Sequence, residues 1–145
     1  MGYNKQASRR LCIFDKVNNV RFLIDTGSDV SILPATTRDK TKQPIPFILH
    51  AANSTNIKTF DTRFLYIDIG LRRRYAWNFL VADVSTAIIG ADFLSYFGLT
   101  VDLKHQRIID GTTNLKATGG VVHSHLHDVT TISYAHPFRL LLEEF

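Results

Sequence analysis

One acidic turn, set between two apolar runs, constrains this chain more than any other stretch. Phe22, Leu23 and Ile24 lead directly into Asp25-Thr26-Gly27-Ser28, and apolar residues resume at Val30. This pattern predicts a buried strand that delivers one carboxylate to a tight turn. A glycine in the turn lets backbone approach backbone or a ligand closely. Because a carboxylate at the end of an apolar strand is costly unless it is hydrogen-bonded or functional, the turn is a candidate site.

The composition indicates one globular domain. The chain has 145 residues, of which 45% are hydrophobic and 21% charged, a balance that can bury one core. No apolar run approaches the ~20 residues of a membrane span, and the basic N-terminus shows no secretory signal. The single Cys12 cannot form an internal disulfide and fits a reducing compartment. We therefore expect a cytoplasmic protein that does not contact membranes.

Alternation of apolar and polar residues predicts a chain made mostly of strands. A hairpin is expected between Phe47 and Phe60, with its tip near Asn53 and Ser54, and a basic turn is expected at 70–74. Further strands are predicted at residues 11–17, 20–25, 65–69, 75–81 and 99–103.

A second motif, at residues 88–94, joins a short apolar strand to a helix. The strand ends at Gly90, and the helix that follows has an apolar face and ends at Gly98. The Asp-Thr-Gly-Ser turn and this Ile-Ile-Gly-Ala-Asp-Phe-Leu motif together resemble the signatures of retropepsin-type aspartic proteases. The retrotransposon form, that of Gypsy-like LTR elements, resembles them most. The resemblance covers about residues 9–110.

The resemblance implies a fold, a site and a mechanism. The fold is all-β, a small closed barrel with a flap hairpin over the substrate and one short helix. Asp25, Thr26 and Gly27 are implied to be catalytic. The residues implied to bind substrate are Ser28, Asp29, Ala52, Asn53, Ser54 and Ile89. The Ile-Ile-Gly strand is implied to pack beside the acidic turn.

Two positions depart from the retroviral pattern. Where retroviral enzymes carry an arginine after the glycine, this chain has Ala91. Asp29 is therefore expected to pair with Arg9 or Arg10, or to stay solvated. The segment 47–60 lacks the glycines of retroviral flaps.

Hydrolysis by this family uses two facing carboxylates that share one proton, without metal or cofactor. This chain has one Asp-Thr-Gly; residues 61–63 carry Arg63 where glycine is needed, and residues 83–85 lack the glycine and the adjacent hydroxyl. The second carboxylate therefore comes from another copy, which predicts an isologous homodimer. The substrate implied is a Gag-Pol polyprotein, processed within virus-like particles.

Other functions stay open. One is a retropepsin-fold domain that dimerises and binds peptide without cleaving it. Another is an RNA-associated module, since net charge is +4 and residues 72–74 are all arginine. A short basic run is usually a solvated turn, so we do not expect nucleic acid as a partner. His123, His125 and His127 beside Asp128 could hold zinc, but short histidine tracts are commonly incidental, and no metal is expected.

The chain is divided into three parts. We assign an N-terminal arm to residues 1–8, the protease-like domain to 9–110, and a C-terminal extension or linker to 111–145. The tail at 137–145, with a helix predicted from 138, resembles the segment that leads to reverse transcriptase in Gypsy-type polyproteins.

Overall fold

A computed structural model describes residues 8–51, 53–124 and 132–134, with side chains for 10–51 and 53–121. Strands dominate the described residues, and the predicted all-β class is confirmed. The strands are β1 Ser8–Asp15, β2 Val20–Ile24, β3 Ile32–Pro34, β4 Ile48–Ala51, β5 Asn56–Ile67, β6 Tyr75–Ala82, β7 Ala87–Ile89, β8 Leu99–Asp102, β9 Arg107–Asp110, β10 Lys116–Thr118, β11 Gly120–Ser124 and β12 Ile132–Tyr134. The helix α1 covers Ala91–Phe97, and a 3-10 turn covers Asp39–Thr41.

The larger sheet places β7 between β2 and β3. Nine strands follow the order β11-β1-β2-β7-β3-β6-β5-β4-β12, and a smaller sheet follows the order β10-β9-β8. β2 pairs with β7 in parallel, and β3 pairs with β6 in parallel. Since α1 begins directly after β7, the start of the helix lies beside the turn that leaves β2. Within the described residues, the nine-stranded sheet does not close into the predicted barrel, because β11 and β12 stand at its two ends.

The predicted hairpin between Phe47 and Phe60 is confirmed, and the strands predicted at 11–17 and 20–25 also form a hairpin. β1 pairs with β2 through a turn in which Asn19 adopts a left-handed φ of 58°. β4 pairs with β5, and the strand predicted at 65–69 is the end of that same 12-residue β5. The pairing with β6 shifts between Thr59 and Asp61, which marks a β-bulge. A bulge adds one residue to one strand, so the alternation of inward-facing and outward-facing side chains is interrupted although the strand continues.

Aromatic rings fill the core between the large sheet and α1. Phe22 stacks on Phe79 at 5.4 Å between ring centroids, and Phe93 of α1 lies 6.4 Å from Phe79. Phe93 is fully buried, as the predicted apolar face of the helix requires. The helix ends at Gly98, which has a φ of 65° and donates its N–H to Ser95.

A second apolar cluster lies under the β4–β5 hairpin. It joins Leu49 and Ile57 of the hairpin to Leu23, Ile32 and Ile88 of the central strands. The hairpin is thus anchored to the strands that carry the acidic turn.

Strands continue beyond residue 110. β10 pairs with β9, β11 pairs with β1 from Ser8↔Ser124 to Cys12↔Gly120, and β12 pairs with β4. The division into domains stays a prediction. Two predictions fall outside the described residues: the N-terminal arm up to residue 7 and the helix from 138. The imidazoles of the histidine tract fall outside the described side chains. No helix in the described ranges is long and apolar enough to cross a membrane.

Candidate active site

Asp25 is delivered by β2 to the edge of the central strands. The preceding residues Phe22, Leu23 and Ile24 are buried, and Asp25 itself is only 9% exposed. Its N–H donates to the carbonyl oxygen of Ile89 at 2.9 Å, which extends the parallel pairing of β2 and β7 by one bond. The position of the acid is therefore fixed by two buried strands.

The acidic turn is held by its own hydrogen bonds. The N–H of Gly27 donates to Oδ1 of Asp25 at 3.0 Å, and the N–H of Ser28 donates to the carbonyl oxygen of Asp25 at 3.0 Å. The hydroxyl of Ser28 donates to the carbonyl oxygen of Val30 at 2.7 Å, and this serine is fully buried. Thr26 and Gly27 are exposed. The turn thus presents the Thr-Gly backbone outward while it fixes one carboxylate oxygen.

The other carboxylate oxygen of Asp25 is unsatisfied. Oδ2 is buried without a hydrogen-bond partner, the one such side-chain nitrogen or oxygen among the residues whose side chains the structure describes. Other buried carboxylates have partners; Asp15 accepts the N–H of Asp68 at 2.8 Å, and Asp110 accepts the hydroxyl of Tyr75 at 3.2 Å. A buried oxygen without a partner costs free energy, so a native structure that keeps one points to function.

Burial raises the pKa of the Asp25 carboxyl above its ordinary value. The N–H of Gly27, the charge of Arg10 and the N–H of Ser28 lower this pKa in part. Burial is the largest of these effects, because it removes water from the charged form. Asp25 therefore holds a proton at a higher pH than an exposed aspartic acid does.

Asp92, in the first turn of α1, accepts hydrogen bonds from Ser31, which follows the acidic turn. Its Oδ1 accepts the hydroxyl of Ser31 at 2.6 Å, and its Oδ2 accepts the N–H of Ser31 at 3.1 Å. The Ser31 oxygen in turn accepts the N–H of Gly90 at 2.8 Å, and the N–H of Ala91 donates to the carbonyl oxygen of Ser28 at 2.7 Å. The acidic turn and the start of the helix are therefore one hydrogen-bonded unit.

The structural roles of Ser31 and Asp92 were not predicted. The two residues are 61 positions apart, and they meet because β7 is inserted between β2 and β3. The sequence signal was the acid directly after Gly90-Ala91, which is typical of a first helical turn. That signal does not identify Ser31 as the residue that Asp92 contacts.

The packing of the Ile-Ile-Gly strand beside the acidic turn, which the resemblance implies, is confirmed at Gly90. A Cβ at this position would lie 2.5 Å from the carbonyl oxygen of Val30 and 2.6 Å from that of Ser28. No side chain fits there unless the acidic turn moves.

The tip of the β4–β5 hairpin closes without glycine. The N–H of Ala51 donates to the carbonyl oxygen of Thr55 at 2.9 Å, and Oδ1 of Asn53 accepts the N–H of Thr55 at 3.0 Å. Ser54 takes the left-handed φ of 71° that a glycine would otherwise supply. Asn53 and Ser54 are both exposed, whereas Ala52 lies outside the described residues.

A cavity of about 410 Å³ lies between this hairpin and the central strands. Its walls include Leu23, Ala51, Asn53, Ile57, Val84 and Ile88. Leu23 stands two positions before Asp25 on β2, so the strand that forms one wall of the cavity also leads to the acidic turn.

The remaining three predicted substrate contacts lie in β7 and in the acidic turn. Ile89 is fully buried in the aromatic core, and its neighbour Ile88 reaches the cavity, because successive side chains of a strand point to opposite faces. Ser28 is buried inside the turn, whereas Asp29 is exposed. The pairing of Asp29 with Arg9 or Arg10 stays a prediction.

Comparison with known proteins bears on the fold. No family model and no curated protein matches the chain. Among solved structures, the chain is similar to the retroviral protease-like domain of Ddi1 from Leishmania major, with a TM-score of 0.54 and 14% identity. The likeness covers 81% of this chain and 96% of that one. The fold is retropepsin-like. At this identity the likeness shows the fold alone.

Proposed function

We propose that this chain is an aspartic endopeptidase whose active site forms between two copies. The observation that carries the proposal is Oδ2 of Asp25, a buried carboxylate oxygen without a partner beside an exposed turn. A second Asp25, brought by a two-fold axis, would meet this oxygen and share a proton with it. The retropepsin-like fold supports the same arrangement.

A second carboxylate from within the same subunit has less support. Asp83 is ion-paired with Lys40 at 3.2 Å, and Asp61 lies 3.7 Å from Lys42. Asp92 is engaged by Ser31, as described above. These pairings, in the described part of the chain, favour a partner subunit as the source of the second acid.

The reaction follows from two carboxylates with one proton. The ionised Asp25 takes a proton from a water molecule, whose oxygen adds to the scissile carbonyl carbon. The protonated Asp25 of the second copy gives its proton to the carbonyl oxygen, which yields a gem-diol. Proton transfer to the amide nitrogen then breaks the C–N bond and releases a carboxylic acid and an amine. Thr26 and Gly27 would hold the two turns against each other.

The proposed substrate is an extended polypeptide that lies in the cavity under the hairpin. We further propose that it is a retrotransposon Gag-Pol polyprotein, processed within virus-like particles. The support for this origin is the Gypsy-like form of the two sequence motifs.

The test is cleavage of a random-sequence peptide library by the purified chain, with products identified by mass spectrometry. We expect cleavage by the wild type and none by Asp25→Asn, which keeps the shape of the side chain but cannot take the proton from water. Circular dichroism of both proteins controls for folding. Equal cleavage by the two proteins would refute the catalytic role of Asp25. Peptide binding without any cleavage by the wild type would instead establish the peptide-binding alternative.

A further inference from the structure

The strand β4 of the hairpin is paired on both edges. β5 occupies one edge, with Leu49 opposite Ile57. The short strand β12 occupies the other edge antiparallel, with Ser133 opposite His50. A segment close to the C-terminus of the chain thus adds a strand to the hairpin that covers the candidate site.

The alternation of β4 identifies the residues that hold β12. Ala51 donates its N–H to Thr55 on the β5 side, and in an antiparallel strand every second residue turns its peptide groups the same way. The N–H and C=O of Leu49 therefore face β5 as well, whereas those of His50 face β12. His50 and Ser133 are register partners, so this pair is placed to exchange the main-chain bonds.

The strand β4 that β12 pairs with also contributes a wall of the cavity, through Ala51. Leu49 and Ala51 of β4 are buried in the same cluster as Leu23 and Ile88, which form the floor under the hairpin. Leu23 leads directly to Asp25. Strand edges are common sites of peptide addition, so we take the outer edge of β4 as the edge to which an extended peptide would add when it enters this cavity.

We propose that residues 132–134 are an intramolecular competitor of the substrate for the outer edge of β4. The proposal rests on the proposed function, because it takes an extended polypeptide as the ligand of that edge. A tethered segment acts at an effective concentration of about millimolar. Even a weak pairing over three residues would therefore oppose a substrate present at micromolar concentration. Release of β12 would then raise the affinity of the site for peptide.

The variant Ser133→Pro in the full chain tests the pairing, because proline lacks the N–H that faces His50. Ser133→Ala is the matched control, since it changes the side chain and keeps the N–H. Both are made with Asp25→Asn, so that no peptide is cleaved. Hydrogen–deuterium exchange of the segment 48–51 should be faster in the proline variant than in the alanine variant. Equal exchange in the two variants would refute the pairing, whether or not the chain is a protease.

The competition is measured with a fluorescein-labelled apolar hexapeptide on the same proteins. The dissociation constant should be about 2- to 10-fold lower for Ser133→Pro than for Ser133→Ala, the shift expected when one backbone hydrogen bond is lost from the competing strand. Equal dissociation constants, or no binding by a proline variant whose hairpin exchanges faster, would refute the competition.

The enzyme with Asp25 intact separates this idea from the proposed function. Its KM should fall by the same factor in Ser133→Pro, with kcat unchanged. If no variant cleaves peptide while the exchange and binding differences are present, the protease function fails and the competing strand stands.

Discussion

Substitution of Gly90 by alanine should disrupt the unit formed by the acidic turn and the helix start. The added Cβ would lie 2.5 Å and 2.6 Å from two carbonyl oxygens, both of which are backbone atoms that cannot rotate away. Overpacking against a rigid neighbour lowers the free energy of unfolding by up to about 3 kcal/mol. We expect Gly90→Ala to cost this full amount, because both contacts are with backbone atoms. For a chain of 145 residues this corresponds to a fall in Tm of about 6–12 °C. Relief of the clash moves the turn that carries Asp25, so peptide cleavage should be lost as well.

Two other glycines provide controls for Gly90→Ala. At Gly98 an added Cβ meets nothing within 4 Å, but φ is 65°, so Gly98→Ala should cost about 1 kcal/mol of backbone strain. At Gly120 an added Cβ again meets nothing within 4 Å, and Gly120→Ala should be neutral or stabilising by up to about 1 kcal/mol. Thermal unfolding of all three variants at one protein concentration measures the order. A Gly90→Ala variant as stable as Gly120→Ala would refute the close approach of the turn and the helix.

The pH dependence and the Asp92 contacts give two further predictions. Cleavage should be fastest at mildly acidic pH and should fall as pH rises. The reason is that the active pair needs one proton, which is lost above the pKa of Asp25 that burial raises. A rate that climbs steadily from about pH 5 to pH 9 would contradict a shared proton. Asp92→Asn should lower the free energy of unfolding by about 1–3 kcal/mol, because the amide can accept only one of the two Ser31 donors and leaves the other facing an NH2 group. Chemical denaturation measures this loss, and an unchanged midpoint would show that the Ser31–Asp92 contact does not hold the turn.

Local patterns in the sequence predicted the parts of the fold that depend on local chemistry. The acidic turn follows from an apolar run that meets Asp25 and Gly27, and the helix follows from the apolar face around Phe93 and its end at Gly98. Both hairpins are encoded by alternation and by turn residues. These features hold because each is determined within about ten residues of chain.

Features that depend on strand order could not be predicted in the same way. The contact between Ser31 and Asp92 requires β7 to lie between β2 and β3, and nothing near either residue encodes that order. To choose Ile88 rather than Ile89 as the cavity residue, one must know which face of β7 each side chain is on. β7 is apolar throughout, so no alternation of apolar and polar residues gives that information. β10 and β12 have three residues each, and they depend on pairing with β9 and β4 rather than on a pattern of their own.

The central claim is that each chain carries half of an active site, and a dilution series tests it directly. Rate per milligram and sedimentation are measured on the same samples over several decades of protein concentration, with an excess of cleavable peptide. The account predicts that specific activity falls as the dimer dissociates and recovers when the sample is concentrated again, because the monomer holds one Asp25. Constant specific activity in samples shown by sedimentation to be monomeric would contradict the account.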